Sequence, residues 1–252
     1  MRDGALTIGS IPMFSGSTSD LLDALSGLVA SAKCQLVVTA NVDHLIYLGT
    51  SPPFYQAYEE ASLRLIDGMP IVALSRVLGM RDVHRQTGAD LLPLAARASS
   101  TSGWTVAIAG GRPGVARIAA ENLSAQHPGS TIVGVEFPIL ASIDDPASRQ
   151  VIGELARIKP AIVFICLGSP KQELWLSRWK DELPPAVYVG AGAAVDFAAG
   201  TASRAPLGVQ RIGIEWVWRL AHEPRRLWKR YLLQAPLFLM IAVRSIAKAL
   251  RP

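Results

Sequence analysis

Short apolar runs alternate with amphipathic stretches over most of the chain. Residues 5–8, 35–39, 64–66, 104–109, 131–135, 161–167 and 186–189 have the length and β-branched content of strands. Helical periodicity marks residues 18–32, 70–78, 90–99, 113–126, 146–158 and 172–182 between them. The run IVFICLG at 162–168 is apolar throughout, as befits a strand covered on both faces. This rhythm predicts βαβ units, and so an α/β fold: a mostly parallel sheet with helices on both faces. After Gly200 the strand patterns stop and only helical ones follow. We therefore divide the chain into an α/β core over residues 1–203 and a helical appendage over 204–252.

Charge sharpens that division. The net charge is +5, but from Arg204 onward ten Lys and Arg meet only Glu215 and Glu223. The appendage thus carries +8 and residues 1–203 carry −3. The body is not a nucleic-acid surface, and the appendage calls for an anionic partner: phosphate, diphosphate or acidic lipid. Arg219, Arg226 and Arg230 share a helical spacing, but Pro224 breaks the run, which predicts two short helices with basic faces. The apolar segment 232–243 that follows contains Pro236 and falls short of the roughly 18–20 residues of a membrane span. It predicts peripheral attachment to an anionic membrane surface, or self-association into a homo-oligomer. Half of the residues are apolar, enough for a sizeable core. The N-terminus lacks the apolar heart of a signal peptide, and Cys34 and Cys166 lie by apolar runs as reduced thiols, which together suggest a cytoplasmic protein.

In open α/β sheets ligands gather beyond the carboxyl ends of the strands, so the residues there carry the candidate chemistry. Thr39, Asn41 and Asp43 follow one strand; they suit a sugar or base, or else a turn in which Asn41 or Asp43 caps the next helix. Asp67-Gly68 follows another; a carboxyl sheltered there could act as general base, or form a plain turn. Gly110 and Gly111 lie in a strand-to-helix turn that fits a degraded dinucleotide fingerprint, with Glu136 downstream, or a phosphate cradle. Lys171 adds positive charge to a helix N-terminus and favours an anion, and Gln172 could present its amide at the same rim. Asp196, among small residues after Gly190 and Gly192, could accept from a hydroxyl or ring NH. The four histidines have no metal spacing, and no Asp-x-Asp is present.

Seven segments, in this order, resemble the WecG/TagA/CpsF glycosyltransferases (family 26). They are TANVDHL at 39–45, IDGMP at 66–70, TGADLLP at 87–93, AGGRPG at 109–114, LGSPKQELW at 167–175, VGAGAAVDFAAGTASRAP at 189–206 and EWVWRLAHEPRRLWKRY at 215–231. The resemblance implies a Rossmann-like core and inverting transfer from a UDP-sugar to a sugar on polyprenyl diphosphate, at the inner face of the membrane. It implies Asp67 as general base and Thr39, Asn41, Gln172 and Asp196 as substrate contacts. Arg219 and Arg226, with Lys229 or Arg230, are implied as a diphosphate clamp. The family's Glu-Arg before TG-x-D reads His84-Arg85 here, so only Arg85 stands; a glycine-rich piece reads VEFPIL instead. No cofactor or metal is expected, because basic side chains and helix N-termini would balance the leaving diphosphate. Two other readings remain: a nucleotide-dependent oxidoreductase or epimerase built on residues 109–114, and a non-catalytic membrane adaptor built on the basic tail.

Overall fold

Strands buried on both faces order this molecule. The computed structural model describes residues 6–8, 11–80, 82–222 and 224–249. β1 (Leu6–Ile8) and β2 (Ile11–Met13) pair antiparallel. Then come α1 (Thr18–Ala30), β3 (Cys34–Ala40), α2 (Val42–Thr50), α3 (Pro52–Glu60), β4 (Leu63–Ile66), α4 (Met69–Val77) and α5 (Gly88–Ser102). β5 (Thr105–Gly110), α6 (Val115–Gln126), β6 (Thr131–Val135), α7 (Ser148–Ile158), β7 (Ile162–Cys166), α8 (Lys171–Trp179), β8 (Ala186–Gly190) and α9 (Ala194–Ala198) complete the core. The chain ends in α10 (Leu207–Arg211), α11 (Glu215–His222) and α12 (Pro224–Ala249).

The main sheet has six strands in the order β4-β3-β8-β7-β5-β6, every pair parallel. Alternate side chains feed two cores, one on each face. Leu36, Val38, Val163, Ile165 and Tyr188 point to one, with Trp175 and Trp179 of α8. Val37, Ile162, Phe164, Val187 and Val189 point to the other, with helices α1, α5 and α6. This is the Rossmann-like α/β architecture expected from the sequence.

Local chemistry sets the helix starts. Ser17 and Asp20 form a reciprocal capping box on α1, and the Thr87 hydroxyl accepts from Asp90 N to open α5. Three expectations need correction. Residues 6–8 do not join the parallel sheet, because too few residues separate them from β2 for the crossover that parallel pairing needs. Helices α2 and α3 occupy a stretch assigned no element; α3 opens on Pro52-Pro53, a helix start that also reads as a turn. Pro224 does begin a new helix after α11, but that helix is long, at 26 residues, and carries Pro236 within it. No helix of the described residues is long and apolar enough to cross a membrane.

Candidate active site

The carboxyl ends of β3, β4, β7 and β8 meet beneath the C-terminal helices around a cavity of about 660 Å³. Thr39, Asn41, Asp67, Gln172, Gly192 and Asp196 line its floor. Glu215, Trp216 and Arg219 of α11, with Gln234, Ala235 and Phe238 of α12, line its roof. Arg85 and Thr87 lie in the wall between them. Loops diverge at this edge of a parallel sheet, which is why the opening forms here.

The floor is tied together by its own polar groups. The buried Thr39 hydroxyl donates to the Gly190 carbonyl at 2.9 Å, joining β3 to β8. Asn41 Oδ1 accepts from His44 N at 3.2 Å, so Asn41 caps α2 while lining the cavity. Gln172 is buried with both ends of its amide engaged: Nε2 donates to Glu173 Oε1 at 2.7 Å, and Oε1 accepts from Gly192 N at 3.0 Å. Gln172 thereby holds the turn that carries Asp196. Behind it, His44 Nδ1 bonds the Tyr58 hydroxyl, and His44 Nε2 lies 3.7 Å from Glu173 Oε1. Burial lowers the His44 pKa against the opposing pull of Glu173, so the ring is held neutral.

Asp67 sits at the tip of β4, its backbone N–H donating to the Ala40 carbonyl at 2.6 Å. The side chain is half-buried by its own surface, yet the protein packed around it removes most of its hydration. That loss of water pushes the carboxyl up to about 7. The Arg85 charge works against it, Glu215 and Asp90 add to it, and Arg219 opposes it last.

A charged network beside Asp67 joins core to roof. Arg85 Nη1 donates to Glu215 Oε2 at 3.2 Å, and Arg85 Nη2 lies 3.9 Å from Asp90 Oδ2. Arg204 pairs with Asp90 at 2.7 Å and approaches Glu215 at 3.8 Å. Burial raises the Asp90 carboxyl, but hydrogen bonds from Arg204 and Thr87 outweigh it and hold the pKa below its ordinary value. Asp90, Arg204 and Glu215 were not singled out from the sequence as site residues. Their presence in TGADLLP, in SRAP and at the head of EWVWRL was the available signal.

Thr39, Asn41, Asp67, Arg85, Gln172, Asp196 and Arg219 are thus brought to one cavity. Gly110, Gly111 and Lys171 are not among its lining residues. A Cβ on Gly110 would stand 2.6 Å from the Cys166 carbonyl oxygen, so the missing side chain serves strand packing. Lys171 Nζ donates to the Leu140 carbonyl at 3.3 Å. Glu136 takes the Gly114 N–H at 3.1 Å, so this carboxylate engages the glycine turn itself, whereas a dinucleotide site would keep it for a ribose. Arg226, Lys229 and Arg230 fall within α12, but their side chains lie outside the described residues. Among the described residues no group of three or more His, Cys, Asp or Glu is placed to hold a metal ion.

The sequence profile of the glycosyl transferase WecG/TagA/CpsF family matches residues 6–252. One curated relative, the N-acetylglucosaminyldiphosphoundecaprenol N-acetyl-beta-D-mannosaminyltransferase of Bacillus subtilis (strain 168), is 26% identical over 227 residues. That alignment spans 90% of this chain and 86% of the relative.

Proposed function

Because the chain belongs to the WecG/TagA/CpsF family of glycosyl transferases, we propose that it moves a sugar from UDP to a saccharide on polyprenyl diphosphate. The donor sugar is of the N-acetylmannosamine, N-acetylmannosaminuronic acid or glucose type, and the product serves cell-surface or exopolysaccharide synthesis. The relative's name, with its N-acetylglucosaminyl-diphosphoundecaprenol acceptor, supports a lipid-diphosphate acceptor here.

One observation carries the chemistry: a carboxyl at the strand rim, stripped of water so that its pKa is pushed up to about 7, beneath a roof that brings Arg219 over the same cavity. Asp67 takes the proton of the acceptor hydroxyl as that oxygen bonds to the anomeric carbon. The bond from that carbon to the diphosphate oxygen breaks on the opposite face, UDP leaves with the electron pair, and configuration inverts. Thr39 and Gln172 position the floor, Asn41 and Asp196 meet substrate hydroxyls, and Arg85 orients the reacting groups beside Asp67. Arg219, with Arg226 and Lys229 or Arg230, balances diphosphate charge without a metal. Exposed Leu233, Leu237, Leu239 and Met240 on α12, together with exposed Arg225 and Arg244, support docking at an anionic bilayer.

The test is a panel of UDP-sugars against farnesyl-diphosphate-linked N-acetylglucosamine, read by mass spectrometry with and without excess chelator. A glycosylated lipid product whose yield survives chelation is expected. Abolition by chelator, restored by magnesium or manganese, would refute the metal-free assignment, and no product from any donor would refute the transfer.

A further inference from the structure

The cavity's charges bear on which sugar it takes. Arg85 and Arg219 are the cations among the described residues that line it. Arg85 is held between Glu215 at 3.2 Å and Asp90 at 3.9 Å, and Arg204 behind it is shared by the same two carboxylates. Around the floor, Asp67 must be an anion in the instant before it accepts a proton. Asp196 takes its hydrogen bond from the neutral Thr201 hydroxyl at 3.2 Å. A carboxylate on the transferred sugar beside Asp67 would therefore enter a wall already rich in carboxylates, where Arg85 already has partners, while Arg219 is committed to the diphosphate in the transfer reading. Like charges sharing a partly dried cavity repel more strongly than in water, and unpaired buried anions are costly. The same intruding charge would make Asp67 harder to ionise and so a poorer catalyst.

Resting on the transfer reading above, we propose that this cavity selects a donor whose sugar is uncharged, an N-acetylhexosamine or hexose, over the matching uronic acid. Glu215 is the residue that enforces the choice, by keeping Arg85 paired. An Arg85 without that partner would present a planar fork matched to a sugar carboxylate. Glu215 belongs to the roof, at the first turn of α11.

The experiment compares two donor pairs on the full chain with the farnesyl-diphosphate acceptor: UDP-N-acetylmannosamine against its uronate, and UDP-glucose against UDP-glucuronate. We expect kcat/KM for the neutral member of a used pair to exceed that of its uronate by about 100-fold, a discrimination typical of one unpaired buried charge. Glu215→Gln should narrow the ratio to about 10-fold or less, mainly by raising uronate turnover. Glu215→Asp, which retains the charge, should preserve the discrimination. Calorimetric UDP binding close to that of the parent shows that each variant is folded. Should Glu215→Gln fail to fold, the parent's donor ratios and Glu215→Asp still decide. A uronate used as well as or better than its neutral partner overturns the selection alone. An unchanged ratio in folded Glu215→Gln overturns the role of Glu215. No turnover with any UDP-sugar overturns the transfer reading and this inference with it.

Discussion

The proposed transfer concentrates its chemistry in one side chain, Asp67. Asp67→Asn should lower kcat by roughly 10²–10⁴ while leaving UDP affinity near its parent value in calorimetry, the range for loss of a general base; undiminished turnover would dismiss the role. The carboxyl's elevation to about 7 also fixes the direction of the pH response. kcat/KM should climb with pH through about 7 and then level, since only the ionised form accepts the proton. Stability runs the other way. A carboxyl whose folded pKa exceeds its ordinary 3.8 keeps its proton longer when folded, so ionising it costs stability as pH rises from about 4 through about 7. Asp67→Asn should therefore unfold later than the parent at pH 8, by on the order of 2 kcal/mol after allowance for its exposure to the cavity, and gain nothing at pH 3. Equal gains at both values would show that ionisation is not the cause. Asp67 was legible in the sequence because an Asp-Gly pair closes an apolar run. Its neighbours were not: Arg85 and Glu215 lie 130 positions apart, and only the folded chain pairs them.

Strands and helices repeat this division between what local pattern reveals and what packing decides. The inner strands β5, β7 and β8 were readable because both faces are buried, which leaves apolar runs with few polar interruptions. Helices α2 and α3 were not, being only nine residues each, with α3 opening on two prolines. Burial of His44 and Glu173 was equally hidden, since a charged-looking pair becomes interior only when α2 and α8 meet. The glycines where β5 ends read as a phosphate cradle, yet Gly110 abuts the Cys166 backbone with φ at 117°. Gly110→Ala should thus cost about 2–5 kcal/mol by chemical denaturation, through the close contact and the left-handed backbone together. The surviving folded enzyme should keep its KM for the UDP-sugar. A normal denaturation midpoint with a raised KM would restore the phosphate role.

Taken whole, the molecule brings Asp67 and Arg85 of the core to one cavity with Arg219 of the roof, from distant parts of the chain. Ending the chain at Arg204 should leave a folded α/β core by circular dichroism but little turnover and weaker sedimentation with anionic vesicles. Full activity in that truncation would contradict the clamp. Leu227, only 1% exposed, marks where α12 is anchored and would be lost with it. Strand order has a further consequence for biosynthesis. β8 is the last strand to be translated, yet it fills the middle of the sheet between β3 and β7. Until residue 190 has emerged from the ribosome, the nascent chain can form only two half-sheets, each with a bare inner edge. A premature stop before Ala186 would leave both edges open to pairing with other polypeptides. Fragments of that kind should aggregate rather than persist as soluble partial enzymes.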